Sequence, residues 1–350
     1  MEHPEYVLYD RKVDFIEKIK SQDFYVIAEA ADAHYGSIDR AKQMILEAKQ
    51  SGSNAIKFQH HIPDAEMLRD IPMSKNMKEP LYDFLVRNAL NIEQHIELSN
   101  FCRQNSIDYL CTPFSLKAAK ELEENIDMIA YKIGSGEMLD HPTILEIMKF
   151  NKPMIISTGM STIDEIDLTY NILKDYSAGL VLMNCTSAYP PSYSDIHLSF
   201  TKEMQDRYPK AIIGFSDHSP GYEVILGAFI LGAKVIEKHV TLSHDLSGPD
   251  QAVSIDFLDL SKMISQLTNL SLAMKSPKII HDSEIEIRSW AHRSLVYNSN
   301  FKSGHALNDG DIWGKRPGTG VPSRFINDYI GRKLKRDVVE NSLLTIEDFD

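Results

Sequence analysis

The chain has 350 residues, of which 43% are hydrophobic and 25% are charged, and its formal net charge is -13 at pH 7. This length and composition are those of an ordinary globular protein with room for one large domain and a small one. The negative charge argues against nucleic acid or an anionic membrane as a partner, although it does not exclude an anionic small substrate in a local basic pocket.

The chain carries no obvious targeting signal. Its first residues lack the apolar segment of a signal peptide, and no run approaches the ~18 apolar residues of a membrane helix. Its three cysteines, Cys102, Cys111 and Cys185, share no metal-type spacing. They are typical of reduced thiols in a reducing compartment, so we expect a cytoplasmic enzyme.

Eight short β-rich runs alternate with helix-like segments. In the segment 38–52, for example, Ala41, Met44, Ile45 and Ala48 fall on one helical face. Strand–helix alternation repeated eight times predicts an α/β fold, a (β/α)8 barrel. The predicted strands are 25–30, 54–59, 108–114, 128–135, 153–159, 179–186, 211–218 and 235–241.

Two parts of the chain depart from this alternation. Residues 60–91 form a long excursion after the second strand, and because loops after strands lie on the catalytic face of a barrel, this is a candidate lid. The chain changes character again after a helix at about 257–274. We predict a barrel domain at 1–274, a polar linker at 275–291 and a small β-rich domain at 292–350.

Polar side chains stand at the ends of nearly all the predicted strands, where the reacting groups of such barrels lie. Strand alternation puts Ser216 and His218 on one face, and Glu237 and His239 on one face. A polar cavity at this end of the barrel is therefore expected. The strand-end residues are Glu29, Lys57, Gln59, Thr112, Lys132, Ser135, Glu137, Ser157, Asn184, Ser216, His218, Glu237 and His239.

His218 and His239 are candidate metal ligands. A single strand histidine is more often a structural group than a ligand, but two at the same level on adjacent strands favour a metal site. Two imidazoles leave positions open for water and substrate oxygens, as a Lewis-acid site requires. Imidazole alone does not choose between zinc, iron and manganese.

Lys57 and Lys132 are unusual for a barrel interior, because a buried ammonium group needs a partner. Pairing with Glu29 or Glu137 is the structural interpretation. The functional interpretation is a pair of cations for a phosphate and a carboxylate, assisted by hydroxyl groups. We expect the neighbouring pair His60-His61 to lie on a solvated face without a role in the site.

The sequence resembles the sialic acid synthase family, whose members condense phosphoenolpyruvate with an N-acylated hexosamine. The resemblance spans almost the whole chain. It is carried, in family order, by "IAEA…HYG", "AIKFQ", "CTPF", "YKIGSGE", "IISTGM", "NCTSAYPP", "GFSDHSPG", "IEKHVTL", "GPDQAVS" and "RPGTGVP". It implies a small C-terminal domain of antifreeze-like (SAF) type that caps the active site of the partner subunit in a domain-swapped homodimer.

The resemblance also implies residue roles. His218 and His239 resemble ligands for manganese or magnesium, Glu137 resembles the catalytic carboxylate, and Glu29 is a second candidate for catalysis. The residues that resemble phosphoenolpyruvate contacts are Lys57, Thr112, Lys132, Ser135, Ser157, Asn184 and Ser216, with Gln59 beside them. The residues that resemble sugar contacts are Glu29, Tyr189, Asp250 and, across the dimer, Arg316.

Two departures from the family pattern bear on the sugar. Ala33 stands where an Asn is usual, with Tyr35 after His34, and Gln251 stands where a His is usual. Loss of an amide and gain of an apolar ring would suit a less hydroxylated acceptor, such as a 6-deoxy sugar. The acceptor is thus N-acetylmannosamine or a relative, the alternative being a 2,4-diacetamido-trideoxyhexose of a legionaminate or pseudaminate synthase.

Two other classes of function stay open at this point. One is a Schiff-base aldolase on the same barrel, with Lys132 or Lys57 as the nucleophile. The other is a catalytically silent sugar-binding protein. The histidine pair and Glu137 argue against the second, because binding alone needs neither a metal nor a proton shuttle.

Overall fold

The structure, a computed structural model, describes residues 14–72, 77, 79–246 and 248–349. The first residues, where we expected no signal peptide, and a few positions of the segment 60–91 lie outside this description. The chain divides into two units, Met1–Lys275 and Ser276–Asp350.

The first unit is the predicted barrel. Within its described residues, eight parallel strands follow the order β3-β2-β1-β8-β7-β6-β5-β4, and the end strands β3 and β4 contact one another. The sheet therefore curves round on itself, and the predicted α/β barrel is confirmed. The strands are β1 (Tyr25–Glu29), β2 (Ala55–His60), β3 (Asp108–Pro113), β4 (Tyr131–Ile133), β5 (Met154–Ser157), β6 (Leu180–Cys185), β7 (Ile212–Asp217) and β8 (Val235–Thr241), and a short β9 (Ile255–Asp256) pairs with β8.

Helices follow the strands and cover the barrel. Ser37 caps α2, and the predicted face of Ala41, Met44, Ile45 and Ala48 is buried. The helices are α1 (Phe15–Ser21), α2 (Ile38–Gln50), α3 (Pro63–Glu66), α4 (Leu81–Asn88), α5 (Ile92–Gln104), α6 (Leu116–Asn125), α7 (His141–Met148), α8 (Ile163–Leu173), α9 (Phe200–Arg207), α10 (Glu223–Ile230) and α11 (Phe257–Lys275).

Strand alternation sorts the barrel residues into two cores. One face of each strand packs against the helices, where Ile56, Phe58 and Phe215 are buried. The other face fills the barrel interior, and α1 adds Phe15 and Ile19 to this inner core. The inner core also contains Tyr25, Ile27, Ala55, Leu110, Ala130, Ile155, Val181, Met183 and Val235. Continuing these inward positions toward the carboxyl ends gives Glu29, Lys57, Lys132 and Glu237, so the alternation itself aims these side chains into the barrel mouth.

The second unit is small and has its own core. Strands β10 (Ser294–Tyr297) and β11 (Ile312–Lys315) pair antiparallel, and Leu295, Tyr297 and Ile312 are buried. The predicted linker at 275–291 contains a helix that we did not predict, because residues Asp282–Ala291 form α12. This helix buries none of its residues in the chain described here.

No helix in the described parts of the chain is long and apolar enough to cross a membrane. The cytoplasmic location stays a prediction.

A buried ion pair joins the two strands that carry the candidate metal ligands. Lys238 donates to Asp217 Oδ2 at 2.7 Å, and their side chains are 0% and 1% exposed. Asp217 also accepts from the backbone N–H and the hydroxyl of Ser219. Because these residues alternate with the inward-facing ones, the pair lies on the outer side of β7 and β8 and fixes the turn after β7.

Replacing Lys238 with Met should destabilise the barrel by about 3–5 kcal/mol, because Asp217 is left as an unpaired buried charge. Urea unfolding followed by circular dichroism measures this. The control is Lys20→Met, which removes a partly exposed pair with Glu17 and should change stability little. A Lys238→Met variant as stable as the wild type would show that the pair is dispensable.

Candidate active site

A cavity of about 420 Å³ opens at the carboxyl ends of the strands. It brings together side chains from all eight barrel strands or the loops that follow them. Among its lining residues are Glu29, Lys57, Gln59, Thr112, Lys132, Ser135, Glu137, Ser157, Tyr189, Ser216, His218, Glu237, His239 and Asp250. All but one of the site residues that we predicted in the barrel thus lie around one space.

Four charged side chains form a cluster at the floor of this cavity. Lys57 Nζ lies 2.5 Å from Glu29 Oε2 and 3.7 Å from Glu237 Oε2, and Lys132 Nζ lies 3.6 Å from Glu237 Oε1. All four are at least 96% buried as side chains, the largest exposed fraction being 4%. We call Glu29, Lys57, Lys132 and Glu237 the charge cluster. The structural pairing that we considered for Lys57 and Glu29 is therefore present.

Hydroxyl groups surround the two lysines. Lys57 Nζ donates to Thr112 Oγ1 at 3.1 Å, and Lys132 Nζ donates to Ser157 Oγ at 2.7 Å. Ser216 donates to Glu237 Oε1 at 3.0 Å. Ser135 Oγ accepts from the backbone N–H of Gly159. Each ammonium group thus has a neutral partner as well as a carboxylate, and each hydroxyl can turn toward a bound anion.

Burial and mutual charge set the protonation of the cluster. Burial raises the pKa of Glu29, and Glu237 raises it further, against the opposing effect of Lys57. Burial lowers the pKa of Lys132, and the charge of Lys57 adds to this effect. Burial opposes the charge of Lys57 as well, but Glu237 and Glu29 overcome it and raise its pKa. Perturbed groups of this kind concentrate at functional sites.

Glu137 lies in the loop after β4 with its carboxylate above Gly134. A Cβ at position 134 would collide with Glu137 Oε2, so glycine makes room for this side chain. Glu137 Oε2 is buried and has no hydrogen-bond partner among the described residues. Burial raises the pKa of Glu137, although Lys132 opposes the shift. A recessed carboxyl group with a raised pKa is suited to moving protons.

His218 and His239 meet at the cavity wall. Their ring centroids are 5.1 Å apart, and both residues are buried. His218 Nδ1 lies 2.8 Å from the Thr186 carbonyl oxygen, which only accepts, so Nδ1 carries a proton. Burial opposes a charge on His218, but Cys185 and the Thr186 carbonyl raise its pKa to about 9, so Nε2 offers a lone pair to a metal once it has lost its proton. Burial and the neighbouring His218 hold the pKa of His239 well below its usual range. His239 Nδ1 is buried without a hydrogen-bond partner among the described residues.

These features fit a divalent metal with two imidazole ligands. A neutral ring, an orphaned buried nitrogen, and a second ring oriented by a backbone carbonyl are what such ligands show. In the described parts of the chain, no group of three or more His, Cys, Asp or Glu side chains is arranged to hold a metal.

Two further predicted residues border the histidines. The Tyr189 ring lies 4.3 Å from the His218 ring between centroids. Asp250 Oδ2 is 3.6 Å from His239 Nδ1. Burial in the cavity, together with the charge of Asp32, raises the pKa of Asp250 to about 7. This carboxyl group can therefore donate as well as accept a hydrogen bond near neutral pH.

Asn184 is the one predicted barrel residue whose side chain does not line the cavity. Its amide donates to the His197 carbonyl and to Thr201 Oγ1, outside the barrel interior. Cys185 faces the cavity in its place, because Cys185 pairs with the inward-facing Ser216. This arrangement does not support a direct substrate contact from the Asn184 side chain, which stays a prediction.

Arg316 belongs to the second unit. Its guanidinium carbon lies 5.0 Å from the centroid of the Trp290 ring, and Nε donates to the Ala291 carbonyl at 3.2 Å. Arg316 itself is exposed. Helix α12 thus supports this side chain from within the same unit.

The prediction of a solvated His60-His61 pair was wrong. Both residues are buried, and His61 lines the cavity. His60 faces the opposite side of β2 and its Nε2 lies 3.1 Å from Glu121 Oε2. Their partners are distant in sequence or lie in the excursion after β2, so the dipeptide alone did not reveal them.

The residues that depart from the family pattern do not line the cavity. Tyr35 OH accepts from Gln251 Nε2 at 2.9 Å, and Ala33 packs against the outer core. Gln251 thus holds Tyr35 in a contact between two loops, and the less hydroxylated acceptor that we inferred from these residues stays a prediction.

Sequence reasoning also missed part of the lining. Glu237 was noted at its strand end without a role, yet it contacts both lysines. The excursion after β2 supplies an apolar wall, which only the folded chain brings to the cavity. Its lining residues are Ile71, Pro72, Met77, Leu81 and Leu85, and Phe114 and Met160 add to the apolar side.

Comparison with known proteins agrees with this geometry. Residues 44–278 match the model of the NeuB family, and residues 292–350 match the SAF domain. The chain belongs to the NeuB family. Its predicted resemblance is therefore confirmed, and so is the prediction of an enzyme of the sialic acid synthase type.

Individual relatives cover nearly the full length of this NeuB family chain. The N,N'-diacetyllegionaminic acid synthase of Campylobacter jejuni is 30% identical over 91% of this chain and 98% of that protein. The human N-acetylneuraminate-9-phosphate synthase is 28% identical, over 92% of each. A crystal structure of the N-acetylneuraminic acid synthetase of Leptospira borgpetersenii, in complex with citrate, superposes with a TM-score of 0.68 at 28% identity, covering 75% of this chain and 90% of that one.

Proposed function

We propose that this protein condenses phosphoenolpyruvate with an N-acetylated hexosamine and water, giving a nonulosonic acid and phosphate. The observation that carries the proposal is the charge cluster beside Glu137 and the histidine pair, within one cavity of a NeuB family barrel. A binding protein would need neither the recessed carboxyl group nor the paired histidines.

Phosphoenolpyruvate is proposed to lie over the two lysines. Lys57 and Lys132 supply fixed positive charge for its phosphate and carboxylate, and Thr112, Ser157 and Ser216 supply hydroxyl donors. These groups are preorganised, because carboxylates hold the lysines and the lysines hold the hydroxyls before any ligand arrives.

His218 and His239 are proposed to hold Mn²⁺ or Mg²⁺. Bound there, the ion would supply Lewis-acid polarisation of the open-chain aldehyde of the sugar. Tyr189 and Asp250, which border the histidines, are proposed to orient the sugar, with Glu29 facing them from β1.

The reaction forms one carbon–carbon bond and breaks one carbon–oxygen bond to phosphate. The methylene carbon of phosphoenolpyruvate attacks the aldehyde carbon, and the aldehyde oxygen gains a proton. Water adds to the former enol carbon, and one of its protons balances the proton that the aldehyde oxygen gained. The hydroxyl that remains loses its proton to the departing phosphate as the carbon–oxygen bond to phosphate breaks, which leaves the keto acid. Glu137 is the proposed group for these proton transfers, with Glu29 as a second carboxyl group of raised pKa.

The apolar wall favours one acceptor class. A 2,4-diacetamido-2,4,6-trideoxyhexose carries a methyl group and a second acetamido group where N-acetylmannosamine carries hydroxyls. Ile71, Pro72 and Met77 offer apolar contacts to such groups and no hydrogen-bond partners from their side chains. N-Acetylmannosamine is the alternative acceptor.

Phosphate release from phosphoenolpyruvate with a panel of amino-hexoses, with products identified by mass, tests this proposal. We expect release with an N-acetylated hexosamine, and a higher kcat/KM with the trideoxy sugar by roughly threefold or more, since a buried methylene group contributes about 0.8 kcal/mol. Borohydride added during turnover should leave the mass of the chain unchanged, and a trapped adduct on a lysine would support the aldolase instead. Better use of N-acetylmannosamine would reject the acceptor preference.

The metal site is tested by binding as well as by activity. Calorimetry with Mn²⁺ should detect one site in the wild type, and His218→Ala or His239→Ala should weaken binding at least tenfold, because each removes one of two protein ligands. His281→Ala, which changes an exposed histidine of the second unit, is the control. Full phosphate release by metal-stripped wild type would contradict the assignment.

A domain-swapped homodimer with shared active sites is also proposed. Helix α12 and the segment before it expose Ile279, Ile280, Ile285, Ile287 and Trp290, each by more than half of its surface. Apolar groups concentrated in this way mark surfaces that a partner covers. Arg316, which stacks on Trp290, is then a donor for the acyl carbonyl of the sugar in the partner's cavity.

Mixing two inactive variants tests the shared site. Arg316→Ala and Glu137→Ala, exchanged to form mixed dimers, should recover activity, because one of the two sites then has both wild-type residues. Phosphate release before and after exchange, with exchange confirmed by native mass spectrometry, measures this. No recovery despite confirmed exchange would show that Arg316 does not act across subunits.

A further inference from the structure

His61 is a buried cavity residue for which the proposed reaction has no use. It is 8% exposed, and its ring stacks on Phe114 with centroids 4.2 Å apart and an interplanar angle of 20°. It follows directly after β2, two residues beyond Gln59. Its other partner is Glu66 of α3, the first helix of the excursion after β2.

The hydrogen bonds of His61 define its charge. Gln59 donates through Nε2 to Glu29 Oε1 at 2.8 Å, so the amide oxygen of Gln59 faces His61 Nε2, at 3.0 Å. His61 Nδ1 lies 3.0 and 3.2 Å from the two carboxylate oxygens of Glu66. Both ring nitrogens therefore face acceptors, and only the doubly protonated ring satisfies both contacts. The Glu66 side chain is 4% exposed, so it is a buried counterion.

These contacts form one continuous path from the excursion to the charge cluster. It passes from Glu66 to His61, to the Gln59 amide, to Glu29 and to Lys57. Glu66 itself does not line the cavity, whereas the other four residues do. A charge-assisted bond at the outer end thus fixes which way the Gln59 amide points inside.

We propose that His61, held as an imidazolium by Glu66, is a positioning residue that fixes the Gln59 amide and the Glu29 carboxylate for the amino sugar. The proposal rests on the proposed function and deepens it, because it concerns the acceptor side of the same cavity. With a neutral His61 ring, the Gln59 amide can flip, and its nitrogen then no longer donates to Glu29. Lys57 pairs with Glu29 through Oε2, whereas Gln59 donates to Oε1, so the reversal would act less directly on the lysine contacts of bound phosphoenolpyruvate than on the sugar.

The charges that face His61 come from several elements. They are Glu66 on α3, Asp32 after β1, Glu137 after β4, and the neighbouring His34, His60 and His95. Burial opposes protonation of His61, but the carboxylates prevail and raise its pKa above the usual value. The His61 ring is therefore doubly protonated at low pH, and this protonated form is lost as the pH rises through the raised pKa. The KM for the amino sugar should therefore increase on the alkaline side.

The test combines a spectroscopic and a kinetic readout on the full chain. In wild type labelled with ¹⁵N-histidine, the His61 ring, assigned by its loss in His61→Gln, should show two protonated nitrogens at neutral pH. Glu66→Gln should return it to a neutral ring. The same variant should raise the KM for the amino sugar roughly tenfold, with smaller changes in kcat and in phosphoenolpyruvate affinity. Glu66→Asp, which keeps the charge, should restore part of the loss.

The adjacent histidine offers a matched control. His60 pairs with Glu121 on the other side of β2, away from the cavity. Glu121→Gln removes the same kind of carboxylate and should leave the sugar KM and the His61 signals unchanged. A thermal melt of each variant shows whether it is folded.

Two results would overturn the proposal. One is a singly protonated His61 ring in wild type at neutral pH. The other is an unchanged sugar KM in a folded Glu66→Gln variant whose His61 ring has become neutral. If wild type instead releases no phosphate with any amino-hexose, the proposed function fails, and the ring protonation still reports independently on the His61–Glu66 pair.

Discussion

The charge cluster is the constraint on which the site depends. Two ammonium groups and two carboxylates are buried together at the barrel mouth, and each is tolerable only because the others are present. Four strands supply them, β1, β2, β4 and β8, and Glu29 lies in register with Lys57 on one side and with His239 on the other. The same alternation that fills the barrel interior with apolar residues therefore delivers the charges to its open end.

This arrangement has a chemical consequence for ligand binding. The opposite charges of the cluster partly offset the cost of burying one another, and they leave the lysines fixed and poorly hydrated. An anion that enters gains contacts already held in place, without the loss of side-chain freedom that mobile surface lysines would suffer. Glu137 and the histidines stand above this floor, and the apolar wall from the excursion borders one side. The cavity thus has a charged floor suited to an anionic substrate and, above it, polar groups and an apolar wall suited to a sugar.

Much of this was predictable from the sequence, and the reasons for the exceptions are physical. Strand alternation is strict, so polar residues two positions apart indicated an inward face, as in Ser216 with His218 and Glu237 with His239. The orientation of Asn184 was not predictable, because a polar residue at a strand end does not by itself reveal its face, and the register with β7 gives the inward position to Cys185. The prediction that His61 is solvated was wrong because its burial depends on Glu66 and Phe114, which only the folded chain brings next to it. Helix α12 was missed because its sequence buries no face within the unit.

Calorimetric titration of phosphoenolpyruvate into wild type and Lys132→Met tests the central claim most directly. Methionine keeps the length and apolar stem of the side chain and removes its charge. If the charge cluster is the floor of a phosphoenolpyruvate site, affinity should fall by about 2–5 kcal/mol, while Lys152→Met, which removes a lysine paired with Asp127 away from this cavity, should bind as the wild type does. Equal affinity in the folded Lys132→Met protein and the wild type would contradict the account.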